Sequence, residues 1–270
     1  MNPKSISISQ FTYNLPEEKI AKYPLENRDE SKLLVWKNNQ IVDSTFSDLP
    51  QILPQSAHLF FNNTKVVHAR HIFTKESGAK IEIFCLEPIN GNYQIAFGSN
   101  GLSEWKCIVG NAKRWKSGIL KKVAFIQNKE VIIQAEMMQQ EGQFAHIKFS
   151  WDQPEIAFAS LLSETGILPL PPYLNRAAEK KDEWQYQTTY AKEEGSVAAP
   201  TAGLHFTHRT FEELKNRHIN TTEITLHVGA GTFLPVKANT MSEHEMHREH
   251  MEIPVLAIEN LLQSVQQKKC

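Results

Sequence analysis

The stretch from residue 123 to residue 149, VAFIQNKEVIIQAEMMQQEGQFAHIKF, decides the reading of the fold. Its apolar runs, Val123-Ala124-Phe125-Ile126, Val131-Ile132-Ile133 and Phe144 to Phe149, are short and separated by polar turn residues, as expected of strands. The pattern extends back through Tyr93-Gln94-Ile95-Ala96 and Ile81-Glu82-Ile83-Phe84 to about Val66, with no convincing helix. Closely spaced strands of this kind form a small β-barrel or sandwich.

Outward from that stretch the pattern changes. Leu33-Leu34-Val35-Trp36 and Ile41-Val42 flank Lys37-Asn38-Asn39-Gln40, which predicts a hairpin, and a strand over His58 to Phe61 leads into Asn62-Asn63-Thr64. After Trp151 helices are expected near Pro154 to Leu162, Asp182 to Tyr190, Thr207 to Arg217, Ser242 to His250 and Pro254 to Lys268. Thr207 is placed to cap its helix, with Phe206 and Phe211 as a hydrophobic staple, and Ser242-Glu243-His244-Glu245 has the spacing of a capping box. Val255, Ile258, Leu262 and Val265 recur at helical spacing and predict one buried face for the last helix. The expected architecture is multi-domain α/β: an α/β/α layered domain over residues 1–65 and 151–270, with residues 66–150 inserted as a small β-barrel.

At 270 residues and 41% hydrophobic side chains the chain can bury a sizeable core. Met1 to Phe11 alternates Ser and Ile without a continuous apolar core, and nothing later approaches the roughly 18 apolar residues of a membrane span. A soluble, cytoplasmic protein without a membrane partner, monomeric, is expected. Cys85, Cys107 and Cys270 are odd in number and far apart in sequence, fitting neither a disulfide framework nor a metal knuckle. A net charge of −1 requires any nucleic acid to be held by a local basic surface.

Three segments carry candidate chemistry. Gly195 to Phe206 is rich in small residues and runs into the helix capped by Thr207, so a ligand can approach its backbone; a tight loop that merely packs is equally compatible. Thr222 to Val228 alternates so that Glu223, Thr225 and His227 share a face, with His227 at the strand's carboxyl end before Gly229-Ala230-Gly231-Thr232. Gly229-x-Gly231 is not a dinucleotide fingerprint, because the third glycine is missing and Phe233-Leu234-Pro235 does not open a helix. In Glu243 to His250, His244, His247 and His250 recur every three residues, which invites zinc, but the pattern is not H-E-x-x-H and a solvated helix face is commoner. Lys106, Lys113, Arg114, Lys116, Lys121 and Lys122, interleaved with Trp105 and Trp115, could contact phosphates and stack on unpaired bases, or could be the exposed face of ordinary strands. Tyr186 and Tyr190, four apart, could stack on a purine but fit core packing better.

In order, Tyr186 to Ala191, Gly195 to Phe206, Leu226 to Phe233 and Glu243 to His247 resemble the signature blocks of the S-adenosylmethionine:tRNA ribosyltransferase-isomerases of queuosine synthesis. Tyr23 to Leu33 and Asn62 to Arg70 are similar to the family's N-terminal blocks. The resemblance implies an α/β domain carrying an inserted β-barrel. It also implies transfer and isomerisation of the ribosyl group of S-adenosylmethionine, a cosubstrate, onto 7-aminomethyl-7-deazaguanine in a tRNA anticodon, giving epoxyqueuosine, adenine and methionine without a metal. On this reading His205, His227, His244 and His247 are the acid–base candidates. Ser196, Pro200, Thr201, Gly203, Gly229, Gly231 and Thr232, with Tyr186 and Tyr190, shape the cosubstrate pocket. Arg28, Asn63 and Arg70 are base or RNA contacts, and Lys106, Lys113, Arg114 and Lys116 are RNA contacts. The family pattern continues beyond Lys268-Lys269-Cys270 through another strand, a loop and a helix, so weak or no activity is expected of these 270 residues alone. Two other readings are a non-catalytic RNA-binding relative and a zinc-dependent hydrolase using His244 and His247.

Overall fold

The structure, a computed structural model, describes residues 3–233, 236–244, 246 and 248–267. Strands β1 (Lys32–Lys37) and β2 (Gln40–Thr45) form the expected hairpin, whose turn residues Asn38 and Asn39 both take positive φ. After the short helix α1 (Leu49–Ile52) come β3 (His58–Asn62) and β4 (Thr64–Val66). Six strands follow, β5 (Arg70–Thr74), β6 (Lys80–Pro88), β7 (Leu102–Gly110), β8 (Ile119–Ile126), β9 (Lys129–Glu141) and β10 (Phe144–Trp151), in the antiparallel order β5-β6-β7-β10-β9-β8. The edge strands β5 and β8 approach one another, so the sheet is a nearly closed barrel. Its interior is the larger core, built on Phe73, Ile83, Ile133, Ile147 and Phe149 at alternate positions of their strands.

Two expectations for this region need correcting. Tyr93–Gly98 is a helix, α2, not a strand: Asn92 Oδ1 accepts from the Ile95 N–H and caps it, and a short apolar run does not settle the period. Trp105 and Trp115 are each 1% exposed and belong to the core, so neither is available to stack on a base. Cys85 and Cys107, distant in sequence, are cross-strand partners on β6 and β7 with Sγ atoms 3.9 Å apart, both buried and reduced.

Beyond the barrel lie α3 (Phe158–Thr165), α4 (Asp182–Gln185), β11 (Glu193–Ser196), α5 (His208–Asn216), β12 (Asn220–His227), β13 (His250–Glu252) and α6 (Val255–Gln266). Strand β11 pairs parallel with β4, and β12 lies between parallel β3 and antiparallel β13. Alternation on β3 sends Phe61 into the cluster holding Leu214 of α5, while His58 bonds Ser264 of α6 on the opposite face. Helix, sheet and helix are therefore layered, and the chain is mixed α/β with a barrel-like sheet. No described helix is long and apolar enough to cross a membrane.

Helix α6 turns a different face inward from the one its periodicity predicts. Val255, Ile258, Leu262 and Val265 are exposed, whereas Ala257 and Ser264 are buried. The reason is polar docking: Ser264 Oγ lies 2.7 Å from His58 Nδ1, and Asn260 Nδ2 donates to Thr222 Oγ1 at 3.2 Å. Asp182 to Tyr190 is helical only over α4, and the proposed histidine helix does not form, since Met241–Glu243 is one 3-10 turn and His250 opens β13. A capping box is formed there by Thr240 and Glu243, and the one expected from Ser242 involves Glu245, which lies outside the described residues. Glu245, His247, Leu234, Pro235 and Lys268-Lys269-Cys270 lie outside the described residues.

Thr207 caps α5 as expected, accepting from the Thr210 N–H at 3.2 Å and donating to Asp29 Oδ2 at 2.9 Å, with Phe206 and Phe211 rings 5.6 Å apart. Thr207→Ala is expected to cost about 1–2 kcal/mol of stability, read as a lower urea midpoint at unchanged slope. His71 sits inside the barrel, and burial first, then Lys122 and His68, depress its pKa from 6.5 to about 3. The unfolded chain then binds the extra proton, so stability falls as pH drops from 6.5 towards about 3. His71→Phe is expected to flatten that acid limb, and an unchanged limb would show that His71 does not cause it.

Candidate functional site

Three small polar side chains stitch β4, β11 and β12 together. Asn62 Oδ1 accepts from the N–H groups of Thr64 (3.2 Å) and Leu226 (3.0 Å), and Ser196 Oγ donates to Thr64 Oγ1 at 2.7 Å. The Val228 N–H donates to Ser196 Oγ at 2.9 Å and the Val197 N–H to the Val228 carbonyl at 2.8 Å. The small-residue loop thus begins directly against the carboxyl end of β12, where His227 stands.

Gly195 makes that approach feasible. Its φ is +147°, and a Cβ placed on it would lie 2.1 Å from His227 Nδ1. The ring of Tyr93, on α2, stacks parallel on the His227 imidazole with centroids 4.3 Å and planes 2° apart. Across the antiparallel pair His250 is the direct partner of His227, and Glu252 Oε1 lies 3.8 Å from His227 Nε2 and 3.4 Å from His250 Nε2. A cleft of about 320 Å³ opens here, lined by His227, Thr225 and Gln94, by the carboxylates of Glu193, Glu194 and Glu252, and by Ile253 and Pro254.

The electrostatics favour a base. His227 is 2% exposed, and neither ring nitrogen has a hydrogen-bond partner among the described residues. Burial lowers its pKa below the ordinary 6.5, against the opposing pull of the Gly195 backbone and then of the Glu252 carboxylate, and so favours the neutral imidazole. A buried, unpartnered, uncharged imidazole at the wall of an acidic cleft can accept a proton from a bound cationic ligand.

The other expected site residues are dispersed. His205, on the 3-10 turn Thr201–His205, packs on Phe46 at 5.2 Å in the cluster with Phe61 and Phe206, and His244 follows the turn Met241–Glu243; neither is among the cleft-lining residues. Ser196 is fully buried in the polar stitch. Pro200 and Thr201 start the 3-10 turn, and a Cβ on Gly203 would lie 2.1 Å from the Tyr190 hydroxyl. Tyr186 is buried among Val66, Leu168, Leu170 and Ala199, and Tyr190 packs edge-on against Phe61 and Phe211. The Gly229 N–H donates to Glu249 Oε1 at 3.2 Å, and Gly231 and Thr232 lie in the turn Ala230–Phe233.

Arg28 is committed to the carbonyls of Gln187 and Trp184, and Arg70 to Glu82 at 2.8 Å and the face of Phe84. Asn63 accepts from Thr225 Oγ1 at 2.9 Å and so supports the cleft from behind. Lys106 pairs with Glu87 at 2.7 Å and lies over the Phe144 ring, while Lys113, Arg114 and Lys116 are exposed around one 3-10 turn. Among the described residues no group of three or more His, Cys, Asp or Glu is arranged to hold a metal ion. Reasoning from sequence missed Tyr93, Glu252 and the role of His250. The only signal available was the alternation in His250-Met251-Glu252, which the helical reading of that segment hid.

The chain matches the family model described as queuosine biosynthesis protein over residues 8–269. Over 250 residues, 93% of this chain and 67% of the relative, it is 40% identical to the S-adenosylmethionine:tRNA ribosyltransferase-isomerase of Aromatoleum aromaticum. Over 271 residues, 98% of this chain and 73% of the relative, it is 38% identical to the protein of that name from a Sulfurihydrogenibium species. A solved S-adenosylmethionine tRNA ribosyltransferase from Thermotoga maritima is 23% identical with a TM-score of 0.37, covering 96% of this chain and 66% of that one.

Proposed function

The chain belongs to the queuosine biosynthesis protein family, and from that premise we propose that it moves the ribosyl group of S-adenosylmethionine onto 7-aminomethyl-7-deazaguanine in a tRNA anticodon. The products are epoxyqueuosine, adenine and methionine, and the setting is the cytoplasm, where tRNA is found. The observation that carries the reading is the neutral, unpartnered imidazole of His227 at the acidic cleft.

Carbon beside a sulfonium is acidified by the positive sulfur, so a base of ordinary strength can remove its proton. His227 takes that proton, and the electron pair left on carbon, as an ylide, helps to expel adenine. Glu193, Glu194 and Glu252 give the cleft the charge that attracts a sulfonium and disfavours a free phosphate. The exposed Lys113, Arg114 and Lys116 contact RNA phosphates, a role that needs charge and no stacking.

The test is to incubate the chain, alone and in a C-terminally extended version, with S-adenosylmethionine and precursor-bearing tRNA, and to measure adenine. Adenine release that depends on the tRNA is the expected result in the extended version. Anticodon binding with no adenine from either version would replace this reading with that of a non-catalytic RNA-binding relative.

A further inference from the structure

Removing a proton with a buried base creates a second problem, because the imidazolium must be stabilised and then discharged before the next turnover. His227 is 2% exposed, Tyr93 covers one ring face, and the Gly195 backbone lies against the Nδ1 edge. Once a ligand fills the cleft, the remaining direction is along Nε2, towards β13.

The pairing of β12 with β13 sets His227 opposite His250 and Thr225 opposite Glu252, which brings the Glu252 carboxylate diagonally beside His227. One oxygen, Oε1, faces Nε2 of both histidines, at 3.8 Å and 3.4 Å, and the two rings are 5.7 Å apart. Exposure rises along the series, from the buried His227 to side chains 42% exposed at Glu252 and 46% at His250. A movement of about 1 Å by the half-exposed carboxylate brings the first contact to hydrogen-bond length, a tightening ordinary on ligand binding.

We propose that Glu252 and His250 form a proton path from His227 to solvent, an inference that rests on the base role given to His227 above. The proton leaves Nε2 of His227 for Oε1 of Glu252 and passes to Nε2 of His250, whose Nδ1 proton is released to water; no electrons are transferred. Until it leaves, the Glu252 carboxylate stabilises the imidazolium, so Glu252 is a positioning residue as well as a carrier. The other groups around His227 are unsuited to the task. The Tyr93 hydroxyl is turned towards the Leu86 carbonyl, and its pKa is raised by burial and then by Glu87 and Glu249. Of the three glutamates that line the cleft, Glu252 is the one with a carboxylate oxygen within 4 Å of a His227 ring nitrogen among the described residues.

Glu252→Gln and His250→Ala are tested in the version that turns over, in dilute buffer. In both, kcat is expected to fall by about tenfold or more; KM for S-adenosylmethionine moves little in His250→Ala and rises in Glu252→Gln, which removes a cleft carboxylate, and added imidazole restores the His250→Ala rate without affecting the wild type. A raised KM at unchanged kcat in Glu252→Gln, or no response of His250→Ala to imidazole, overturns the path. A second readout is independent of turnover: the imidazole resonances of His227 in the 270-residue chain are titrated by NMR with and without Glu252→Gln. A lower His227 pKa in the variant is expected, and identical titrations overturn the coupling. If even the extended wild type releases no adenine, the functional reading fails, and the titration still decides whether the pair is coupled.

Discussion

His227→Gln is expected to lower the rate of adenine release by about 10²–10⁴-fold in any version that turns over, the usual contribution of a positioned general base. Glutamine is polar and of similar reach, so it fills the space between Gly195 and Tyr93 without a cavity, but it cannot accept a proton near neutral pH. KM for S-adenosylmethionine should change far less than kcat, because the carboxylates that give the cleft its charge remain. The wild-type pH profile adds a sign. Burial lowers the His227 pKa below 6.5, so the rate rises with pH along an acid limb centred below that value. Adenine measured between about pH 5 and 8 checks both statements. Retention of activity in the glutamine variant, or an acid limb centred above the ordinary histidine range, would move the base elsewhere.

What was legible in the sequence is what local rules determine. Short apolar runs between turn residues marked the strands at Ile81, Val123, Val131 and Phe144, period-two alternation marked β12, the polar Lys37-Asn38-Asn39-Gln40 marked the β1–β2 turn, and Thr207 with its flanking phenylalanines marked the start of α5. The same alternation put His227 at a strand end, and the structure sets the start of the small-residue loop against it, through Ser196 and Val228. The failures share a cause, which is that tertiary contacts overrode a local period. Helix α6 buries the face that carries Asn260 and Ser264, because His58 and Thr222 meet it with polar groups, and its apolar stripe is left outward. Histidines at 244 and 250, spaced as on a helix, stand in a turn exit and a strand, because β12 recruits residues 250–252 as an edge partner. Tyr93 reaches His227 from more than a hundred residues away in the chain, and no pattern around either residue announces the stack.

Gly195→Ala is the sharper test of how the site is built, because it removes no titratable group. Two costs combine. At φ +147° an L-residue is strained, by about 1–3 kcal/mol for a backbone held in so sparsely populated a region. The new methyl would also lie 2.1 Å from His227 Nδ1 and 2.5 Å from Cε1, distances no packed side chain tolerates, with a further tight contact at 3.3 Å to Phe97 Cε2. The imidazole cannot tilt away on the Tyr93 side, where the rings are already in contact at 4.3 Å, so the loop or the base must move. Displacement by even 1 Å is enough to disable a proton transfer, and overpacking adds about 1–3 kcal/mol of its own. The expected result is a loss of adenine release approaching that of His227→Gln, together with a destabilisation of about 2–6 kcal/mol in urea. Gly78→Ala separates the two costs: φ there is +78° and nothing lies within 4 Å of the added methyl, so only the backbone penalty applies. Should Gly195→Ala prove no worse than Gly78→Ala, and turnover survive, the close approach of loop to imidazole would carry no chemistry.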